Sequence, residues 1–242
     1  MIFRDRSEAG EYLAAKLAAY ADRRDVLVLG IPRGGVPVAF EVARRLHAPF
    51  DIILVRKLGL PGQEEVGMGA IAAGGVRVLN EELVNDLGVE RDSIEAVTQK
   101  ELVELHRRNL RYRGNRAALD MRSRTVILVD DGLATGSTMR AAICAIRAQK
   151  PSRIVVAVPV GAKETCAQVA SQVDELVCFL MPQSFRSVGE WYDDFSQTTD
   201  EQVLELMRSF EKTTPAQLRK SNLTTMPWPP SEAVRSTPRS GK

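Results

Sequence analysis

The sequence predicts an α/β fold: a twisted, mainly parallel sheet of about five strands with helices on both faces, plus a small hood. Three observations predict it. Short apolar runs alternate with longer segments of helical period, the pattern of parallel strands joined by crossover helices. Each run is apolar at nearly every position rather than at every second one, as a strand covered on both faces must be. The 242 residues, 44% of them apolar and 26% charged, are enough for one domain that buries a full core without disulfides or metals.

The elements follow in chain order. Residues 5–21 form an amphipathic helix, opened by Asp5 and Glu8 at capping-box spacing and carrying Leu13, Leu17 and Tyr20 on one side. Val26–Gly30 (VLVLG) is a buried strand, and residues 36–46 are a helix with Val38, Val42 and Leu46 on its stripe. Asp51–Val55 (DIILV) is a second strand. From Arg56 to Gly75 the chain becomes glycine-rich, with a Leu-Pro-Gly turn at 60–62, and is expected to be a mobile functional loop. Ser93–Arg113 reads as a long charged helix with Ile94, Val97, Leu102, Leu105 and Leu110 as its apolar face and its arginines solvated. Thr125–Val129 (TVILV) is a third strand and Ser137–Gln149 a helix. Arg153–Val158 is a fourth strand, Ala162–Ser171 a helix and Asp174–Leu180 a fifth strand. Thr199 and Gln202 are spaced as a capping box for a last helix through Phe210. Beyond Pro215 the composition turns to Pro, Ser and Thr, so residues 215–242 are expected to be a poorly ordered tail. This leaves residues 1–214 as the domain, with a core over 25–195 and a hood drawn from parts of 1–24, 76–113 and 185–210.

Charge and cysteine content narrow the function classes. A net charge of +2 is too small to argue for a nucleic-acid or membrane partner. Three cysteines, Cys144, Cys166 and Cys178, include no CxxC spacing and read as small buried hydrophobes rather than a disulfide framework or zinc site. The N-terminus has no signal-like apolar region, and no apolar run approaches the ~18 residues of a membrane span. The expectation is a soluble, cytoplasmic protein. His47 and His106 fall on predicted helices, away from the strand ends, and read as structural or surface residues.

In a parallel sheet, ligands sit outside the carboxyl ends of the strands, which here means loops 31–35, 56–75, 130–138 and 180–192. The third is the most informative. Val126–Thr138 reads VILVDDGLATGST: four apolar residues run into two carboxylates, then a small-residue turn, then hydroxyls that begin a helix. Gly132, Leu133, Ala134 and Gly136 keep the turn compact, so backbone N–H groups can approach an anion. Thr135, Ser137 and Thr138 add hydroxyl donors, and the helix start adds unpaired N–H groups and a positive dipole end. Asp130 and Asp131 would repel phosphate but accept hydrogen bonds from vicinal hydroxyls. The sum suits a sugar phosphate. A P-loop would need Gly-Lys-Ser/Thr and a dinucleotide fingerprint GxGxxG; neither is present in this stretch. Acids capping a helix beside a plain turn would explain one or two of these residues, not all nine.

This stretch resembles the PRPP (5-phosphoribosyl 1-pyrophosphate) motif of type I phosphoribosyltransferases, and the resemblance covers roughly residues 25–195 in order of elements. It implies that the loop Ile31-Pro32-Arg33-Gly34-Gly35 binds pyrophosphate, with Arg33 as a fixed charge, and that the Pro32–Arg33 peptide is cis. It implies that Arg56 and Lys57 open a catalytic loop that closes over PRPP and excludes water. The loop after the fifth strand would pack on the acceptor base, with Phe179, Phe185, Trp191 and Tyr192 as candidates; Trp191 and Tyr192 equally suit plain hood packing. Family members acting on 6-oxopurines usually carry a third acid where this chain has Ala134, which weighs against hypoxanthine and guanine and leaves adenine-type and orotate-type acceptors open.

The implied activity is transfer of ribose 5-phosphate from PRPP to a nitrogen of a base with release of pyrophosphate. Asp130 and Asp131 would hold the ribose. Mg²⁺ would bridge ligand oxygens mostly through water, near both acids but without direct protein ligation. The alternative is a PRPP-binding regulator that uses the same pocket without turnover. Type I enzymes are commonly dimers, so the resemblance extends to a homodimer.

Overall fold

The computed structural model describes residues 2–73, 76–114 and 120–213; the tail expected at 215–242 lies outside them. Five parallel strands form the central sheet in the order β2-β1-β6-β7-β8: β1 Val26–Gly30, β2 Phe50–Ile52, β6 Thr125–Val129, β7 Arg153–Val160 and β8 Glu175–Leu180. Successive residues of β1 and β6 point to opposite faces, and both faces are buried. Val26, Val28, Ile127 and Val129 join one core cluster with residues of α1 (Arg6–Lys16), α2 (Gly35–Leu46) and α7 (Asp200–Thr213). Leu27, Leu29, Val126 and Leu128 join the other, under α5 (Ser137–Ala148) and α6 (Lys163–Ala170). Double coverage is why these strands read as continuous apolar runs, each such side chain contributing about 1.5–3 kcal/mol by burial.

The box at Thr199 forms in full, whereas at Asp5 the return bond goes to the residue before the cap. The Asp5 side chain accepts the Glu8 N–H at 2.8 Å, while Glu8 accepts the Arg4 N–H at 2.6 Å. Thr199 and Gln202 exchange side-chain and backbone bonds at 3.2 and 2.8 Å. These fix where α1 and α7 begin, and both starts bear on the site.

The sequence expectation fails in four places. Of the segment expected as a loop over Arg56–Gly75, residues 56–60 and 63–72 form strands instead, and 74–75 lie outside the described residues: β3 (Val55–Leu60) and β4 (Gln63–Ala72), the latter also pairing with β5 (Val76–Leu79), form an antiparallel hairpin. Pro61 and Gly62 make its turn, and Gly62 takes the φ of +78° that a type II turn requires at that position. Two of the glycines that suggested mobility are needed inside the strands: a Cβ on Gly59 would lie 2.5 Å from Glu64 O, and one on Gly69 2.4 Å from Val78 O. The strand expected at 51–55 is divided, because the chain leaves the central sheet after Ile52 and enters the hairpin at Val55. Arg113 of α4 (Arg91–Arg113) is not solvated: its side chain is 6% exposed and pairs with Asp51 at 3.3 Å, whereas Leu110 is exposed. Cys144 is exposed rather than buried, while Cys166 is buried. The short helix α3, Glu81–Asp86, is capped by Asn80. Among the described residues no helix is long and apolar enough to cross a membrane.

Candidate active site

The strand order reverses direction between β1 and β6, so the loops leaving these adjacent strands open a crevice at their carboxyl ends. β1 runs into Ile31, whose N–H donates to Val129 O at 3.0 Å, and the Pro32–Arg33 peptide is cis. β6 runs into Asp130 and Asp131, and the Asp131 N–H donates to Asp130 Oδ1 at 2.9 Å. The two loops touch where Gly34 and Gly35 open α2. A Cβ on Gly34 would fall 2.0 Å from Asp131 Oδ2, and one on Gly35 2.8 Å from the Asp130 Cα. These glycines are therefore required by the acids behind them. Gly34 has φ −62° and ψ −35°, which any residue adopts, so Gly34→Ala should act by steric contact alone. It should displace the Asp131 carboxylate and weaken ligand binding by tenfold or more, on the order of one charge-assisted hydrogen bond. Calorimetric titration of the variant against the wild type checks this.

Burial followed by the adjacent Asp131 charge pushes the Asp130 carboxyl well above the usual carboxylate range. Asp131 is also raised, by burial, with the Arg6 guanidinium opposing it. Arg6 Nε lies 2.8 Å from Asp131 Oδ2, and the Tyr192 hydroxyl donates to the Asp131 carbonyl at 2.6 Å. Burial, then the Asp131 charge, raises the Tyr192 hydroxyl above its ordinary value, so it remains a donor. A contact between distant chain segments delivers both residues: Phe3 pairs with Tyr192 as a parallel bridge, and the Phe3 N–H donates to Trp191 O at 2.9 Å.

Beyond the acids the turn is tied down at each step. Gly132 lies against Val188. Leu133 turns into the core, and its N–H donates to Val160 O at 2.9 Å. The Ala134 carbonyl accepts the Thr165 hydroxyl at 2.7 Å, and the Thr135 carbonyl accepts Arg140 Nη2 at 2.9 Å. Gly136 takes a φ of +73° as the N-cap of α5, with no side chain capping the helix. That leaves the exposed Thr135 and Thr138, and Ser137, beside uncapped N–H groups.

A cleft of about 500 Å³ lies between this turn, the 31–32 loop, the β3–β4 hairpin and α4. Arg56, Lys57, Thr135, Ser137 and Thr138 line it. Arg56 is held by Glu101 of α4 at 2.5 Å. Arg33 Nη1 lies 3.6 Å from Asp200 at the start of α7, and Asp200 also binds Arg111 at 2.8 Å and accepts the Tyr112 hydroxyl. The Tyr112 hydrogen bond, with the arginines, holds Asp200 below its ordinary value, so it is a lasting counter-charge for Arg33.

The candidate residues thus form two adjoining groups: Gly34 and Gly35 meet Asp131 and Asp130, with Arg33 paired to Asp200, while Thr135, Ser137 and Thr138 share the cleft with Lys57 and Arg56, a cleft that the two acids themselves do not line. Phe185 and Trp191 do not line this cleft. They pack with Phe3, Phe179 and Tyr192 in an aromatic cluster beside the acid loop. Sequence reading missed Arg6, Glu101 and Asp200. Their partners lie 125, 45 and 167 positions away, and no local spacing links them.

Residues 5–189 match the family model described as phosphoribosyl transferase domain. A protein of Mycobacterium tuberculosis (strain H37Rv), provisionally named a phosphoribosyl transferase, is 45% identical over 203 residues, covering 84% of this chain and 46% of that protein. This chain therefore spans about half the length of its mycobacterial relative. The bifunctional protein PyrR of Chloroflexus aurantiacus is 33% identical over 131 residues, covering 53% of this chain and 66% of that one. The crystal structure of TT1426 from Thermus thermophilus is 41% identical, with a TM-score of 0.80 over 86% of this chain and 99% of that one.

Proposed function

The chain belongs to the phosphoribosyl transferase domain family, and from that premise we propose that it transfers ribose 5-phosphate from PRPP to a nitrogen of a base, releasing pyrophosphate. The observation that carries this reading is the half-buried acid pair, set directly behind Gly34 and Gly35 and followed by a hydroxyl-bearing helix start. Carboxylates flanked by anion-binding backbone match a polyhydroxylated sugar with phosphate on both sides.

In this reading the 5-phosphate takes hydrogen bonds from Thr135, Ser137 and Thr138 and from the first N–H groups of α5. The ribose hydroxyls donate to Asp130 and Asp131. Pyrophosphate lies against the Gly34 backbone, since the Gly35 N–H already donates to Ile31 O at 3.0 Å, with Arg33 and Lys57 as counter-charges. As the glycosidic bond lengthens, positive charge grows on the ribose ring. The two carboxylates stabilise that charge from fixed positions, which lowers the barrier without a covalent intermediate. The hairpin that carries Arg56 and Lys57 walls the cleft and limits access of water to the reacting carbon.

The residues present fit Mg²⁺ held chiefly by ligand oxygens and water. Among the described residues no group of three or more His, Cys, Asp or Glu side chains forms a metal cage, and Asp130 and Asp131 supply the nearby carboxylates that such a water-rich ion prefers. Bound Mg²⁺ would neutralise charge on the leaving pyrophosphate.

The test is pyrophosphate release from PRPP and Mg²⁺ with a panel of purines, pyrimidines and small nitrogen heterocycles. Release with one acceptor establishes the transfer and names the base. Hypoxanthine and guanine should be poor acceptors, because the Ala134 methyl can exchange no proton with a purine ring. Absence of release with every acceptor, while PRPP still binds, would replace transfer with a binding or regulatory role. Absence of PRPP binding would sink the reading altogether.

A further inference from the structure

Asp131 is held at two points. The Tyr192 hydroxyl fixes its carbonyl, and Arg6 fixes carboxylate Oδ2. Arg6 takes Oδ2 of Asp131 and the Asp131 N–H takes Oδ1 of Asp130, so a ligand hydroxyl would be accepted at the other oxygen of each acid. Arg6 is itself clamped: its Nη1 donates to Ser196 O at 2.7 Å, and its guanidinium lies 4.0 Å from the centre of the Phe195 ring. Its side chain is 11% exposed. It is the first residue of α1, immediately after the Asp5 cap. The Asp5 cap, the Phe3–Tyr192 bridge and the Phe195 stack together leave Arg6 one direction in which to point.

Resting on the reading above, we propose that Arg6 is the positioning residue of the ribose site: it holds the Asp131 carboxylate aimed so that Oδ1 accepts a ribose hydroxyl, while making no contact with phosphate. A half-buried carboxylate beside a second acid would otherwise gain by rotating away, and that change loses the acceptor. The arrangement also makes the N-terminal helix part of the sugar site.

The experiment is calorimetric titration of wild type, Arg6→Gln and Arg6→Lys with two probes, ribose 5-phosphate and inorganic pyrophosphate, each with Mg²⁺. In Arg6→Gln, ribose 5-phosphate affinity should fall about tenfold or more, the weight of one charge-assisted hydrogen bond, while pyrophosphate affinity changes less than about twofold. Arg6→Lys restores a charge to Asp131 without the two-point fork, so it should recover part of the ribose 5-phosphate loss. Loss of positive charge alone would weaken pyrophosphate at least as much as the less charged sugar phosphate, and a general structural role would weaken both. Equal weakening of both probes, or of neither, in both variants therefore overturns the proposal. If Arg6→Gln does not fold, the same contrast is read from Arg6→Lys. A wild type that binds pyrophosphate but not ribose 5-phosphate refutes the sugar-site reading itself, and the role of Arg6 with it.

Discussion

Asp130→Asn combined with Asp131→Asn should weaken PRPP binding by about 100-fold or more. Two hydrogen bonds from ribose hydroxyls to charged acceptors are worth about 1.5–3 kcal/mol each, and an amide presents a weaker acceptor and a donor edge that opposes a hydroxyl. The fold should survive. Asn has the shape of Asp, and its Oδ1 can keep the bond from the next N–H that Asp130 now accepts at 2.9 Å. Unchanged PRPP affinity in the double variant would remove these residues from the site.

The same pair makes a separate prediction without ligand. The folded-state value of Asp130 lies above its ordinary 3.8, because burial and Asp131 disfavour its charge. Between those two values the native state holds more protons than the unfolded state, so stability falls as pH rises through that window. The cost of that charge therefore accumulates as pH rises from 4 toward 7. Asp130→Asn should therefore melt higher than the wild type at pH 7, and the gap should close as pH falls toward 4. Ligand-free thermal melts across that range check it; a gap that widens on acidification would contradict the sign.

Arg113→Met should destabilise the protein by about 3–5 kcal/mol, the cost of leaving a buried ion without its partner. The Asp51 side chain is 10% exposed and lies 3.3 Å from Arg113. It also accepts the Ile52 N–H at 2.7 Å, which keeps the carboxylate turned inward. Against a total stability of about 5–15 kcal/mol, this is a large fraction, and the urea midpoint should drop accordingly. Arg107→Met is the control: Arg107 pairs with Glu104 at the surface of the same helix, with a side chain 58% exposed, and its loss should cost less than about 1 kcal/mol. Asp51→Leu with Arg113→Met should recover most of the loss, since no buried charge then remains. Similar effects for Arg113 and Arg107 would show that burial does not separate them.

That contrast marks the boundary of what can be read from sequence. The central strands, the helix starts at Asp5 and Thr199, the Pro61–Gly62 turn and the run VILVDDGLATGST are legible because their causes lie between near neighbours: periodicity, capping spacing and turn stereochemistry. Arg107 and Arg113 sit on one helix in similar company, and nothing local says that one is solvated and the other buried. Gly59 and Gly69 likewise look like flexibility until the facing strands are placed, and then they mark close backbone approach. Arg6 is the extreme case. The sequence by itself determined the strand-end acids and the helix on which Arg6 rides, but only the tertiary structure brought the two together across 125 positions. Such pairings depend on how α1, the post-β8 segment and the β6 loop pack in three dimensions, and packing between distant segments leaves no periodic trace along the chain.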